Sequence, residues 1–223
     1  MTSREEFSGW TYTGGYDEFV EEATQELEAI GNGVLASINP DSIRSSLRHP
    51  NGFLVNTLDN DPDRQLRLHI WPTGNFVGLT PHSHPWHMTS LVLAGVYTEY
   101  IPDVKLDSTS EHQLIGTRFD KDRRQIGNGY TGQNVNFELG ELRSYERGQY
   151  HNLPAGEFHI TPLPLTEAIV TLVRTSPQFF SNPTYVLSEV NKTAQLTTAS
   201  DRKPPNEDEV LKIWEELVLI LGP

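Results

Sequence analysis

The feature that most restricts what this chain can become is the punctuation of residues 52–190. Short runs such as Leu66–Trp71, Thr89–Tyr97 and Ala168–Arg174 are rich in β-branched, aromatic and aliphatic side chains, and Gly, Pro, Asn and Asp separate them. Many short strands with frequent turns and few interior helices predict a sandwich or barrel. Because side chains alternate along a strand, Arg67, His69 and Trp71 share one face of their run, and Leu66, Leu68 and Ile70 share the other. A filled barrel would turn the apolar set inward, whereas one enclosing a polar cavity would turn Arg67, His69 and Trp71 inward.

Amphipathic segments flank this region. Tyr16, Phe19, Val20, Ala23, Leu27 and Ile30 fall at helical spacing, which predicts a helix over 16–30 stopped by Gly31 and Gly33. A second helix is expected over 206–221, capped by Asn206 with Glu209 at the capping-box position. Its stripe is Val210, Trp214, Leu217, Val218 and Leu221. Both stripes read as packing faces, with a homodimer contact as the alternative. The segment 102–135 is polar, contains Asp120-Lys121-Asp122-Arg123-Arg124, and reads as a long, partly mobile excursion between strands. The expected organisation is a helical extension over 1–50, a barrel over 51–190, and a linker with a helix over 191–223.

Composition narrows the chemistry. None of the 223 residues is cysteine, so any metal site must use histidine and carboxylate. Lys and Arg total 17 against 30 Asp and Glu, a net charge of −13. Such a chain repels phosphate backbones and anionic lipid, so nucleic acid and membrane are not expected partners. No run approaches the roughly 18 apolar residues of a membrane span, and Met1-Thr2-Ser3-Arg4-Glu5-Glu6 does not open a secretory signal. The expectation is a cytoplasmic protein.

Two histidine-bearing segments carry the strongest signal. The first runs Gly78-Leu-Thr-Pro-His82-Ser-His84-Pro-Trp-His87-Met88 and on to Gly95. In an extended segment His82 and His84 point to one side, so one strand aims two imidazoles at one place. The second runs Gly148-Gln-Tyr-His-Asn-Leu-Pro154-Ala-Gly156-Glu-Phe-His159, in which a Pro-Gly turn leads into a third imidazole.

These segments resemble the two motifs of the cupin family. The second matches from Gly148 to His159, lacking only the final asparagine, where Leu163 stands. The first matches at His82, His84 and Gly95, with Gly78 two residues late and Met88 in the place of the motif's glutamate. The resemblance implies an all-β cupin jelly-roll barrel with flanking N- and C-terminal helices, binding a metal through His82, His84 and His159 without the carboxylate. Three-histidine cupins include the cysteine dioxygenase-like thiol dioxygenases. Leu54 to Glu99, Glu167-Ala-Ile-Val-Thr-Leu and Ser176-Pro177-Gln-Phe179 are similar to that family as well. The likeness stops at substrate recognition. Val55 stands where the family holds its substrate carboxylate with an arginine, and Val173 and Thr175 stand where it has a histidine and a tyrosine. Cysteine is therefore not the expected substrate.

Other candidates keep two readings each. His87 reads as a fourth ligand, as an acid/base group, or as a histidine pointing off the barrel. Glu99 reads as a cavity carboxylate acting in acid/base catalysis or as an outer-face polar residue. Trp71, Trp86, Tyr97 and Arg174 are the candidate substrate pocket, with Arg174 anchoring an acidic substrate if it points inward. The expected function is an Fe(II)-dependent oxygenase using O2 on a small, anionic organic molecule. The alternatives are a redox-neutral isomerase, lyase or hydrolase using Zn, Ni or Mn, and a non-catalytic cupin that holds a small ligand.

Overall fold

The computed structural model describes residues 11, 13–49, 51–61, 64–74, 80–119, 125–162, 166–178, 184–189 and 202–222. Two helices open it, α1 (Tyr16–Ser37) and the short α2 (Pro40–Arg44). Ten strands follow: β1 (Leu47–Arg48), β2 (Leu54–Asp61), β3 (Arg64–Trp71), β4 (Met88–Ala94), β5 (Tyr97–Leu106), β6 (His112–Phe119), β7 (Gln125–Tyr145), β8 (Tyr150–Leu153), β9 (Ile169–Thr175) and β10 (Thr184–Glu189). A third helix, α3 (Glu207–Leu221), closes the chain. The protein is mostly β, in two antiparallel sheets. One has six strands in the order β1-β2-β3-β9-β4-β8, and the other has four in the order β10-β6-β7-β5.

Residue alternation gives each sheet two different faces. On one face of the six-stranded sheet Leu54, Leu68, Ile70, Leu91, Leu93, Val170 and Leu172 pack against Leu27 of α1 and Val210, Ile213 and Leu217 of α3. Burying each such side chain contributes about 1.5–3 kcal/mol. Arg44–Glu207 joins α2 to α3 and Arg48–Glu209 joins β1 to α3, both at the exposed rim and contributing about 0–1 kcal/mol each, while the more shielded Arg174–Glu26 ties β9 to α1. Apolar burial therefore holds the helices. The other face looks toward the four-stranded sheet. There Phe53, Val55, Trp71, Val92 and Ile169 meet Tyr97 and Tyr145, and Met88, Leu153 and Val173 meet Ile101.

This arrangement resolves the parity of β3. Leu68 and Ile70 are core, but the core lies outside the two sheets, under the helices. Arg67, His69 and Trp71 face the space between the sheets, where His69 and Trp71 contact Phe53 and Arg67 lies over Trp86.

Three sequence expectations change. Gly31 and Gly33 do not stop α1, which continues to Ser37. Gly31 is a packing glycine, since a Cβ there would come within 2.9 Å of Leu91 Cδ2 where α1 lies on β4. The segment 102–135 is not an excursion. It carries the end of β5, all of β6 and the first half of β7, and so builds much of the four-stranded sheet. Its Gly and Asn residues, Gly127-Asn128-Gly129 and Gly132-Gln133-Asn134, weaken the strand signal without preventing ladder bonds. The acidic-basic run 120–124 lies outside the described residues. In α3 the capping box of Asn206 and Glu209 forms, but Val218 is off the buried stripe and Ile213 is in it. Among the described residues no helix is long and apolar enough to cross a membrane.

The turn between β4 and β5 depends on Gly95, which has φ +74° and faces Ala168 O, only 2.4 Å from where a Cβ would sit. Gly95→Ala should lower the unfolding free energy by about 2 kcal/mol or more. Chemical denaturation of the two proteins checks this, and equal midpoints would refute it.

Candidate metal centre

The first histidine segment is held as a short stub of strand. His82 N donates to His159 O at 3.2 Å and His159 N returns the bond to His82 O at 2.9 Å. On the other side Ser83 N donates to Tyr185 O, and Leu187 N to Pro81 O, while Ile160 pairs with Tyr100 of β5. Segments 81–83 and 159–160 thus link β10 to β5, the two edge strands of the four-stranded sheet. Gly156 N donates to His84 O at 2.8 Å, which docks the second motif's turn onto the first.

This pairing brings the three predicted histidines together. One ring nitrogen from each of His82, His84 and His159 lies within 4.8 Å of the others, and the Nε2 atoms of His84 and His159 are 3.1 Å apart. Two nitrogens bound at right angles to one ion at about 2.0–2.1 Å would be separated by about 2.9 Å. The outer nitrogens fix the tautomers. His82 Nδ1 is 3.1 Å from the carbonyl of Thr80, which can only accept, so Nδ1 carries the hydrogen and Nε2 the lone pair. His159 Nδ1 is 3.2 Å from Glu99 Oε2, so its Nε2 also presents a lone pair. Three imidazoles converging on one point, two of them oriented by an acceptor behind the ring, form a donor set that could hold one divalent ion. The residues fit such an ion.

Glu99 faces inward on β5, with no exposure. Besides His159 it meets His151 Nε2 at 2.9 Å, without the alignment of a full hydrogen bond, and Tyr145 Oη at 3.4 Å. Burial alone would raise its carboxyl, but the contacts from His151 and His159 outweigh it and hold the group near 2. It is therefore ionised at any ordinary pH, and it holds His159 rather than moving protons. Glu99, His151 and His159 form a second, overlapping group of nearby ligand atoms.

The remaining predicted residues divide. Trp86 stacks on His84, at 5.5 Å and 16°. Tyr97 stacks on His151 and bonds Thr161 Oγ1 through its hydroxyl. Trp71 lies between Phe53 and Tyr97. All three line the inner layer. His87 does not join the histidine group. Its Nδ1 accepts from Ala155 N at 2.9 Å, its Nε2 lies 3.2 Å from Gly14 O, and its ring packs beside Tyr16 and Phe19 of α1. Pro85 turns the chain so that His87 fastens the helix to the sheet. Arg174 is also displaced from the predicted pocket. It lies on the helix-covered face and donates to Glu26 Oε2 of α1 at 2.7 Å, because it shares parity with Leu172 on β9. Sequence reasoning missed His151 and Arg202. His151 sits inside the second motif, and inward parity on β8 would have found it. Arg202 has no local signal.

The chain matches no protein-family profile and no curated protein. Among solved structures it is similar to the EutQ protein of Clostridium difficile, at 10% identity over 60% of this chain and 72% of that one, with a TM-score of 0.35. A cupin 2 conserved barrel domain protein from Salinispora arenicola matches at 15% identity over 60% and 82%, with a TM-score of 0.34. An uncharacterized double-stranded β-helix protein from Klebsiella pneumoniae matches at 13% over 68% and 96%, with a TM-score of 0.38. Likenesses this distant carry no argument about the chemistry, which rests on the side chains above.

Two predictions follow from the electrostatics. Replacing the carboxylate behind His159, Glu99→Gln, should weaken binding of a divalent metal by about 10–100-fold, read by competition with a chromophoric chelator. An unchanged affinity would show that Glu99 does not tune the site. The second concerns acid. Burial lowers His69 and His82 to about 3 and pushes His49 and His84 well below their usual value. The folded state keeps them neutral while the unfolded chain takes up protons below about pH 6.5. Stability is therefore full above pH 6.5 and falls as pH drops toward 3, by about 1.4 kcal/mol per pH unit for each histidine. Thermal melts of metal-free protein from pH 7.5 to 5 should show a steep decline, and a flat profile would contradict it.

Proposed function

We propose that the chain is a metal-dependent cupin enzyme, an Fe(II) oxygenase that adds oxygen from O2 to a small organic anion. The observation that carries this reading is the convergence of His82, His84 and His159, with the rings of His82 and His159 oriented by acceptors behind them. Bound Fe(II) would supply the redox chemistry with O2. Addition of both oxygen atoms to the substrate balances without a further reductant. Three neutral ligands leave the ion's positive charge uncompensated, which favours an anionic substrate group.

The chain's own residues would hold and orient. Glu99 keeps His159 in its binding tautomer, Trp86 covers one side of His84, and Trp71 and Tyr97 help exclude water from the inner layer. A redox-neutral reaction on Zn, Ni or Mn needs an acid/base group beside the substrate. His87 is turned toward α1 and Glu99 is held ionised by two histidines, so oxygenation is the reading the geometry favours.

Elemental analysis of protein purified without oxygen or added metal, for wild type and His159→Ala, tests the proposal. We expect one equivalent of iron in wild type and at least a tenfold loss in the variant. Zinc, nickel or manganese in wild type would transfer the site to redox-neutral chemistry, and metal in neither protein would leave a ligand-binding barrel.

A further inference from the structure

The inner layer holds a second cluster beside the three histidines. His69 Nε2, Trp71 Nε1 and Arg202 Nε are all buried without a hydrogen-bond partner. About nine in ten buried polar groups in proteins are partnered, so three together in one region need an explanation. Trp71 and His69 are neighbours on the inner face of β3, with ring centroids 6.5 Å apart. Arg202 lies in the segment before α3, which runs beside β1 through the bond from Arg48 N to Lys203 O at 3.0 Å, next to His49, whose ring stacks on Phe53. Its charge bears on both His49 and His69. No carboxylate pairs with it among the described residues.

The surroundings are rigid and flat. Phe53 stacks on His49 at 4.2 Å and 19°, and on Trp71 at 4.0 Å and 24°. The cluster also adjoins the metal centre. The charge of Arg67 acts on His49, and Arg67 lies over Trp86, which in turn stacks on His84.

We infer that this cluster is the recognition subsite for a carboxylate of the substrate, with Arg202, Trp71 and His69 as its donors; the inference rests on the reading of the three histidines as the reaction centre. The indole and guanidinium nitrogens can only donate, so the ligand must accept. Among the described residues the guanidinium has no carboxylate partner, so the ligand brings the negative charge, and the fork of Arg202 suits a planar carboxylate. One guanidinium balances a monoanion better than a phosphate dianion. The substrate thus lies with its carboxylate toward β1 and its reacting end toward His82 and His84.

The test uses full-length, zinc-loaded protein, which is redox-silent. Acetate, succinate and benzoate are titrated by calorimetry beside acetamide, succinamide, benzamide and inorganic phosphate. At least one carboxylate should bind at least tenfold more tightly than its amide. Arg202→Gln should weaken that binding at least tenfold, Arg202→Lys less, and Trp71→Phe, which keeps the stack and loses the N–H, severalfold. All three variants should keep one equivalent of zinc. The inference is overturned if no carboxylate binds, if amides bind equally, if Arg202→Lys and Trp71→Phe bind like wild type, or if phosphate binds most tightly. The outcomes separate the two proposals. Loss of carboxylate binding with zinc retained removes the subsite alone, whereas carboxylate binding that persists in protein unable to take up metal removes the metal centre alone.

Discussion

The reciprocal backbone pair between His82 and His159 is the constraint on which the site depends. It sets two residues 77 positions apart in sequence side by side in space. Once that pair forms, alternation along each stub turns both imidazoles to one side, and His84 follows two residues on. The pair also joins β10 to β5 through residues 81–83 and 159–160, so the same bonds that assemble the ligands finish the sheet. A metal ion would then meet a site whose backbone is already fixed, and its binding need not be spent on ordering loops.

Electrostatics of the inner layer follow from this closure. Histidines packed together away from water cannot all carry protons, and burial keeps His49, His69, His82 and His84 neutral. Glu99 is the exception, an ionised carboxylate set between His151 and His159. The charged groups of the layer are thus uneven, with Glu99 behind His159 and cationic Arg67 over Trp86 beside His84.

Much of this was legible in the sequence, and the limits have physical causes. The H-x-H pair and the Pro-Gly turn before His159 pointed to the three histidines that the structure brings together, because local spacing decides which way those rings point. The cap of α3 was legible for the same reason. Parity told which residues of β3 share a face but not which face looks inward, because that depends on where the helices dock. Hence Arg174, a natural anion anchor by type, lies under α1. The β6–β7 hairpin was misread because its glycines and asparagines lower strand propensity, while tertiary pairing to β5 and β10 overrides it. Arg202 was invisible because only the fold brings a linker residue beside β1 and His49.

The apolar cluster under α1 and α3 has an evolutionary consequence. In many β-sandwiches the residues between the sheets serve as both core and binding site, so a new ligand endangers the fold. Here β3 divides those duties residue by residue, with Leu68 and Ile70 committed to the helices and Arg67, His69 and Trp71 committed to the interior. Selection can rewrite the interior set while the exterior set keeps the chain folded. Descendants of this scaffold can therefore change what they recognise in single substitutions, with the helical cover acting as the reserve of stability that such drift consumes.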